Sequence, residues 1–276
     1  VHSATLEEAI ERQEQVVSAL RSGVETLLSH PNITLIREKG VFTDAQTVNG
    51  ITAKHIIIAT GSSAKVLPIP GADSPKVVTS TELLALKELP KRLCIIGAGV
   101  IGMEFASVFQ RFGSEVTVVE YLKECLPMLD SDIAKRLRKL MEKHGIAFHM
   151  GAGVKSIDGS SVLFEQKGKE VSVEADYVLM ATGRKPNTEG LNLEAAGISL
   201  APNGTIPVDE HFRSINGQWS MVNGQCYAIG DVNGRQMLAH AAEMQGIHVV
   251  NRILGIEDNI RFDIMPAAIF TNPEAA

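Results

Sequence analysis

Apolar residues recur at helical spacing near the start of the chain and at strand spacing after it. Residues 5–29 carry apolar residues near helical spacing and stop at His30-Pro31, which predicts a long amphipathic helix ended by proline. The nearly all-apolar run at 55–59 predicts a strand buried on both faces, as in a parallel sheet. Between them the pattern predicts short strands at 33–38, around Val41 and around Val48, with a turn at Asn49-Gly50.

A segment rich in proline and glycine follows at 65–75, and its composition indicates a connector and a domain boundary. Beyond it, strand and helix patterns alternate, which predicts an α/β domain with a mostly parallel sheet followed by a β-meander. The predicted elements are strand 93–96, helix Val100–Phe112, strand Glu115–Glu120, helix 130–144 with Asp130 or Ser131 as its cap and Gly145 at its end, and strands 146–150, 160–166, 170–175 and 177–181.

Three glycines with the spacing Gly97-x-Gly99-x-x-Gly102 lie between a predicted strand and a predicted helix. This is the fingerprint of dinucleotide-binding domains: the first glycine permits the tight turn, the second lets the backbone approach a pyrophosphate, and the third lets the helix pack on the strand. The phosphates are expected at the helix N-terminus, where free N–H groups and the positive end of the helix dipole lie.

Glu120 follows Gly102 by 18 residues and ends the strand EVTVVE. A carboxylate there accepts hydrogen bonds from the ribose hydroxyls of adenosine and repels a 2′-phosphate, which predicts NAD(H) instead of NADP(H). A second GAGV, at 151–154, lacks the third glycine, and Asp158-Gly159 indicates a turn before another strand. It is therefore predicted to be a strand-to-strand connection.

Composition and charge argue against several classes of function for this chain of 276 residues. The net charge is −6 and there is no block of lysine or arginine, which argues against a nucleic-acid surface. No apolar run reaches the roughly 18 residues that a membrane span needs. Cys94, Cys125 and Cys226 form no CxxC or metal-ligand spacing and the histidines do not cluster, so we expect buried free thiols, a reducing compartment and no metal site.

Residues 55–71 and 177–191 each carry a strand that ends in Ala-Thr-Gly, which favours a duplicated nucleotide-domain architecture. In order, IIIATGS, GAGVIGMEFA, ATGRKPN, YAIGDV, MLAHAA and IFTNPEAA resemble the motifs of flavin-dependent pyridine nucleotide-disulfide oxidoreductases, and they span nearly the whole chain. GAGVIGMEFA together with Glu120 resembles the NAD-using lipoamide branch of this family more than the NADP-using glutathione branch.

The resemblance implies an α/β fold in which a Rossmann-like NAD domain, with a parallel sheet and a β-meander, is inserted in a partial FAD-binding domain. A C-terminal domain that forms a homodimer is also implied. The implied limits are 1–71 for the first part of the FAD-binding domain, 72–198 for the NAD-binding domain, 199–262 for the return to the FAD-binding domain, and 263–276 for the start of a truncated dimerisation domain.

The resemblance also assigns cofactor residues by position. It implies that Glu104 lies where nicotinamide meets flavin, and that Asp231 binds the ribityl–phosphate region of FAD. Val154 is expected against the adenine of NAD, with an ordinary core position as the alternative. The NAD residues are Gly97, Ala98, Gly99, Val100, Ile101, Gly102, Glu104, Glu120, Val154 and Gly183. The FAD residues are Gly40, Thr60, Gly61, Ser62, Asp231, Met237, Leu238, Ala239 and His240, the last four under the isoalloxazine.

Parts of the family's catalytic machinery do not occur in the sequence. Family members carry an N-terminal GxGxxG for FAD, a Cys-x4-Cys redox disulfide and a C-terminal His-Glu acid-base pair; the first two are missing, and the pair is expected beyond residue 276. We therefore expect an internal fragment without catalytic residues, in which a missing parallel strand of the FAD-binding domain leaves an open sheet edge.

For the complete enzyme, the resemblance implies electron transfer from dihydrolipoamide on a carrier protein through the disulfide and FAD to NAD⁺, in the cytoplasm. For the chain itself we expect weak NAD(H) binding, little or no retained FAD, and no lipoamide activity. The alternatives are a mercuric reductase, a soluble transhydrogenase, or a module that binds nucleotide without catalysis.

Overall fold

Helices and strands alternate along residues 5–215 and 225–276, the part of the chain that the computed structural model describes. The helices are α1 (Leu6–Leu28), α2 (Ser80–Leu84), α3 (Val100–Phe112), α4 (Ser131–Lys143) and α5 (Ala239–Leu254). The strands are β1 (Phe42–Asp44), β2 (Thr47–Val48), β3 (Ile51–Thr52), β4 (His55–Ile58), β5 (Ser62–Ala64), β6 (Val77–Val78), β7 (Arg92–Ile96), β8 (Glu115–Glu120), β9 (Ala147–Met150), β10 (Ala152–Asp158), β11 (Ser161–Gln166), β12 (Lys169–Glu174), β13 (Tyr177–Met180), β14 (Arg184–Pro186) and β15 (Gln225–Ala228).

The chain divides into two compact units. The first unit comprises Val1–Leu35, Ala64–Gly183 and Ala268–Ala276, and the second comprises Ile36–Ser63 and Arg184–Ala267. The domain limits expected at residues 71, 198 and 262 remain predictions, and 216–224, within the expected return to the FAD-binding domain, lie outside the described residues.

Five parallel strands form the sheet of the first unit, in the order β6-β13-β7-β8-β9. Leu93 and Ile95 of β7 pack in a cluster with side chains of α3 and α4, whereas Cys94 and Ile96 pack with side chains of β10 and β11. Because both faces of the sheet are covered, β7 is apolar at consecutive positions. The predicted parallel α/β sheet is confirmed.

An antiparallel meander, β10-β11-β12, comes after the parallel sheet, as predicted. The prediction for the second GAGV is wrong in part, because only Gly151 lies in the turn, with φ of 64°. Ala152 already pairs with Gln166, and the strand continues to Asp158. The burial along this strand does not alternate regularly, so the two glycines at its start were the stronger signal in the sequence.

The predicted helix limits agree with the structure to within a residue. Thr5 and Glu8 form a capping box at the start of α1, and the helix ends at Leu28, with Ser29 as its C-cap, just before His30-Pro31. Helix α4 begins after Asp130, so the alternative cap Ser131 is already helical, although the Asp130 side chain makes no capping hydrogen bond.

The segment after α1 contradicts the prediction of a strand at 33–38. These residues have no regular structure, and Ile33, Leu35 and Ile36 are exposed. A strand needs a neighbour that satisfies its backbone N–H and C=O groups, and none pairs with this segment within residues 5–215 and 225–276. Apolar alternation without a pairing partner therefore did not produce a strand.

In the second unit, β4 and β15 form a two-stranded parallel pair, and β1-β2-β3 form a small antiparallel sheet. The predicted turn at Asn49-Gly50 joins β2 and β3, with both φ angles positive. The prediction that the strand at 55–59 is buried on both faces is wrong. Ile58 is buried and Ile56 packs beside it in the same cluster, but His55 and Ile57 are exposed, because only one face of this pair is covered.

Neither a membrane span nor a metal cluster occurs in the described part of the chain. No helix there is long and apolar enough to cross a membrane. Within the same residues, no group of three or more histidine, cysteine, aspartate or glutamate side chains is arranged to hold a metal ion.

All three cysteines are free and buried, which confirms the prediction for their burial. Cys94 and Cys125 are 1% exposed and Cys226 is 2% exposed. Burial raises the pKa of each of these thiols to about 12, because an apolar surrounding disfavours the thiolate. The nucleophilic form is therefore scarce at neutral pH.

We expect the folded chain to resist modification by a thiol reagent such as Ellman's reagent at pH 8, because its thiols are both inaccessible and protonated. The same reagent should titrate all 3 cysteines once the chain is unfolded in guanidinium. A thiol that reacts rapidly in the folded chain would contradict the burial of these side chains.

Candidate functional site

The first glycine loop joins β7 to α3 through a tight turn at Gly97. Its φ is 109°, a left-handed conformation that disfavours other residues. A Cβ at this position would lie 2.3 Å from the carbonyl oxygen of Ala181. The Gly97 amide also donates to the carbonyl of Val119 at 2.9 Å. The turn is therefore wedged between the ends of β13 and β8.

Helix α3 begins at the end of this loop with its N-terminal amides unoccupied by any capping side chain. Gly99 is the N-cap residue, and the amide of Met103 donates to its carbonyl at 2.9 Å. The amides of Val100, Ile101 and Gly102 therefore precede the first turn of intrahelical bonds. A Cβ on Gly99 would meet no atom within 4 Å, so open space lies beside the positive end of the helix.

The third glycine of the motif has a packing role. A Cβ on Gly102 would lie 2.0 Å from the carbonyl oxygen of Gly97 and 3.2 Å from the Cγ2 atom of Ile95. Only glycine lets the first turn of α3 approach the end of β7 this closely. Gly97 and Gly102 therefore shape the loop at its two ends, whereas Gly99 between them faces open space.

Glu120 closes the loop from the end of β8. Its Oε2 atom accepts a hydrogen bond from the amide of Ala98 at 2.5 Å, and its Oε1 atom accepts one from the amide of Leu122 at 2.7 Å. The carbonyl of Ala98 accepts from Leu126 at 2.9 Å, and Ala98 itself is fully buried. A carboxylate has about four acceptor positions, so these two bonds leave capacity for ligand hydroxyls.

Glu104 lies in the second turn of α3 and contacts the last segment of the chain. Its Oε1 atom accepts from the amide of Phe270 at 2.9 Å, and Ser107, three residues later, accepts from the amide of Asn272 at 3.0 Å. Residues Ala268–Ala276 belong to the same unit as α3. No pattern in the sequence predicts this contact.

The second GAGV lies close to the residues after Glu120. Gly151 donates to the carbonyl of Leu122 at 2.8 Å, and a Cβ on Gly153 would lie 3.7 Å from the ring of Tyr121. Val154 is partly buried and packs against an apolar cluster on the sheet. Its assignment to adenine remains a prediction beside the alternative of an ordinary core position.

Gly183 lies just after β13 with φ of 97°, and its carbonyl accepts from the amide of Lys65 at 3.0 Å. Strand β13 is the neighbour of β7, and its end is the point that Gly97 approaches. The structure therefore brings the segment that contains Gly183 to the edge of the sheet where the glycine loop lies.

In the second unit, four of the predicted FAD residues follow the carboxyl ends of β4 and β15: Thr60, Gly61, Ser62 and Asp231. The Thr60 hydroxyl donates to the carbonyl of Asn187 at 2.7 Å, and the Asn187 amide donates to the carbonyl of Gly61 at 2.9 Å. Gly61 has φ of 69°. A groove of about 540 Å³ is lined by Gly40 and Thr60, together with Ser63 and Asn187.

Asp231 lies just after β15, in the 3₁₀ turn Gly230–Asn233. Its Oδ2 atom accepts from the Ser62 hydroxyl at 2.5 Å, so two predicted FAD residues are in contact. Gln245 of α5, only 1% exposed, holds the turn by accepting from the Gly230 amide at 2.8 Å and from the Asn233 side chain at 2.9 Å.

The predicted segment under the flavin ring forms the start of α5. Leu238 is the N-cap residue without a capping side-chain bond, and Met237 is 41% exposed. Ala239 begins the helix, and His240 hydrogen-bonds through Nε2 to the carbonyl of Pro266 at 2.8 Å. The backbone amides of the first turn of α5 lie at the positive end of a 16-residue helix, which suits electron-rich ligand atoms.

Three residues at this second edge are absent from the sequence-based prediction. Arg184 and Asn187 both lie in ATGRKPN, a motif from which the glycine alone is predicted to bind cofactor. The motif is therefore a usable signal for both residues. The position of Gln245 under the 3₁₀ turn depends on how α5 packs, which the sequence pattern does not reveal.

The chain is similar to known proteins in sequence and in structure. The family described as pyridine nucleotide-disulphide oxidoreductase matches residues 1–246. Mitochondrial dihydrolipoyl dehydrogenase of Pisum sativum and leghemoglobin reductase of Glycine max are each 40% identical over 280 residues, which cover 96% of this chain and 54% and 52% of those proteins. The solved structure of the HOCl-induced flavoprotein disulfide reductase RclA from Escherichia coli has a TM-score of 0.86 at 32% identity, over 99% of this chain and 63% of that one. The chain spans about half the length of the curated relatives it matches.

We expect Gly102→Ala to destabilise the first unit, because the new Cβ would lie 2.0 Å from a carbonyl oxygen. Overpacking costs about 1–3 kcal/mol, whereas glycine-to-alanine changes inside helices ordinarily stabilise by about 0.5–1 kcal/mol. Gly246→Ala in α5 is the matched control, since its Cβ would make an ordinary contact at 3.5 Å. Denaturation should give a lower midpoint for Gly102→Ala alone. An unchanged midpoint would refute the packing role.

Proposed function

Because the chain belongs to the pyridine nucleotide-disulphide oxidoreductase family, we propose that it binds NAD(H) at the loop between β7 and α3. The observation that carries this proposal is the uncapped N-terminus of α3 beside open space, with the Glu120 carboxylate at the neighbouring strand end. The pyrophosphate would accept from the helix amides, and the adenosine ribose would donate to Glu120.

Glu120 supports NAD(H) over NADP(H) by its charge and by its fixed position. Both of its oxygens already accept backbone amides, so the carboxylate is held at the strand end before any ligand binds. A 2′-phosphate would meet this negative charge at close range, and like charges in such a position cost several kcal/mol, by order of magnitude. Ribose hydroxyls would meet acceptors instead.

FAD is the second cofactor that membership of this family implies. We propose that it lies along Thr60, Gly61 and Ser62 after β4, with Asp231 accepting hydroxyl groups of its ribityl chain. The groove at Gly40 and Thr60 offers space on this edge of the second unit. The residues present therefore fit the ribityl chain and the flavin ring of the cofactor, and the ring would lie against the start of α5, at Met237–His240.

The activity proposed for the complete protein is the oxidation of dihydrolipoamide with reduction of NAD⁺, in a cytoplasmic homodimer that accepts the lipoyl group on a carrier protein. FAD and NAD supply the hydride chemistry when bound. This chain would hold and orient both. It has three cysteines, no two of them five positions apart, so it lacks the redox pair.

Similarity alone does not select the substrate. The relatives from Pisum sativum and Glycine max are equally identical to this chain, yet their names refer to different substrates. Mercuric reduction and transhydrogenation stay alternatives within the family. A module that binds nucleotide without catalysis is the remaining alternative.

We expect the wild-type chain to bind NADH at least about tenfold more tightly than NADPH, because a 2′-phosphate would face Glu120. Glu120→Arg should reverse this preference. Glu120→Gln is the control, since its amide oxygen still accepts from one backbone N–H while the charge is gone. Calorimetric titration measures all six affinities. Tighter binding of NADPH by the wild type would exclude the assignment to NAD(H).

We also expect the purified chain to carry little or no FAD and to show no NAD⁺-dependent oxidation of dihydrolipoamide, even with added FAD. Activity should be absent because the chain has no redox cysteine pair, and a dithiol substrate needs a disulfide as its electron acceptor. FAD should be weakly held because the single GxGxxG of the sequence lies between β7 and α3, so no such loop is left for the FAD pyrophosphate. Absorbance near the flavin bands and a standard lipoamide assay provide the measurements. Near-stoichiometric flavin after purification, or turnover above background, would contradict this expectation.

A further inference from the structure

Arg184 connects two of the predicted FAD residues within the second unit. Its Nε atom donates to the Ser62 hydroxyl oxygen at 2.6 Å, and its Nη2 atom donates to the Ser62 carbonyl at 2.7 Å. The Ser62 hydroxyl in turn donates to Asp231 Oδ2 at 2.5 Å. Arg184 Nε lies 3.7 Å from the same carboxylate oxygen. The guanidinium of Arg184 therefore donates hydrogen bonds to both oxygens of Ser62.

The direction of each hydrogen bond is determined by chemistry. A guanidinium has donors and no acceptor, so the Ser62 oxygen must accept from Arg184. The single hydrogen of the hydroxyl is then available for Asp231, which as a carboxylate can only accept. The order arginine, serine, aspartate is thus polarised from a positive to a negative charge, which strengthens both bonds.

This arrangement fixes which part of Asp231 is available to a ligand. The Oδ2 atom accepts from Ser62, so Oδ1 is the oxygen that a ligand hydroxyl would meet. The side chains of Arg184 and Asp231 are 30% and 24% exposed, so solvent screens their attraction only in part. Without Arg184, the serine hydroxyl could rotate and the carboxylate would lose its nearby positive charge.

We propose that Arg184 is a positioning residue for the flavin cofactor: it orients the Ser62 hydroxyl and, through it, directs Asp231 Oδ1 toward a hydroxyl of the ribityl chain. This inference rests on the proposed binding of FAD. Arg184 does not itself need to touch the cofactor. The neighbouring Lys185 has no such role, since it pairs with Glu189 at 3.0 Å on the surface.

The test is titration of the full chain with added FAD, monitored by the quenching of flavin fluorescence. Arg184→Met should weaken binding about tenfold, the scale of a charge-assisted hydrogen bond. Arg184→Lys keeps the charge but cannot reach both serine oxygens with a planar fork, so it should recover only part of the affinity. Ser62→Ala should resemble Arg184→Met, because it removes the bridging hydroxyl.

Arg213→Met is the matched control. Arg213 pairs with Asp209 at 2.9 Å in the same unit, with side-chain exposures of 42% and 25%, and lies outside the proposed cofactor residues. Unfolding midpoints without FAD allow the two methionine variants to be compared for stability. The inference requires that FAD affinity falls for Arg184→Met and stays within about twofold of wild type for Arg213→Met.

Equal FAD affinity for wild type and Arg184→Met would overturn the inference and leave the proposed FAD site intact. Equal weakening by Arg213→Met and Arg184→Met would overturn it too, since the effect would then arise from general stability. A wild-type chain that shows no saturable binding of FAD would refute the proposed site itself, and the role of Arg184 with it.

Discussion

Backbone groups at the end of a parallel strand need hydrogen-bond partners, and the chain meets this constraint with the same turn twice. At Thr60-Gly61 the glycine carbonyl accepts from the Asn187 amide at 2.9 Å, and the threonine hydroxyl donates to the Asn187 carbonyl at 2.7 Å. At Thr182-Gly183 the partner is Lys65, with distances of 3.0 Å and 2.9 Å. The candidate residues at each sheet edge depend on these turns, since ligands of α/β folds bind at carboxyl strand ends.

Two identical GAGV segments differ in structure because the residues after each of them differ. The first precedes Gly102, whose missing side chain allows a helix to start beside β7. In the second, Ala152, Gly153 and Val154 already pair with β11, and the chain continues as a strand to Asp158. The helix after the first segment was predictable because its causes lie within a few residues of the motif, as do those of the limits of α1 and α4. The error at 33–38 arose because a strand also needs a partner from elsewhere in the chain.

The contacts that sequence could not predict join residues far apart in the chain. Ser62 and Asp231 are separated by 169 positions, and Ser62 and Arg184 by 122. Each carries a common polar side chain, and these contacts form only when β5, β14 and the turn after β15 are brought together. His248 and Asp258 are a further example in the second unit. The Nδ1 atom of His248 lies 3.0 Å from the Oδ1 atom of Asp258, and no motif surrounds either residue.

Glu120 and Asp231 are carboxylates at two different strand ends, and the protein fixes the orientation of both in the same way. Each carboxylate is already held by hydrogen bonds from the protein: backbone amides hold Glu120, and the Ser62 hydroxyl holds Asp231. A free carboxylate would have to lose rotational freedom when a ligand binds, whereas these two lose it during folding. Their remaining lone pairs then point in fixed directions. At both proposed sites, selectivity for a ligand hydroxyl would therefore depend on the acceptor positions that the protein leaves open as well as on the negative charge.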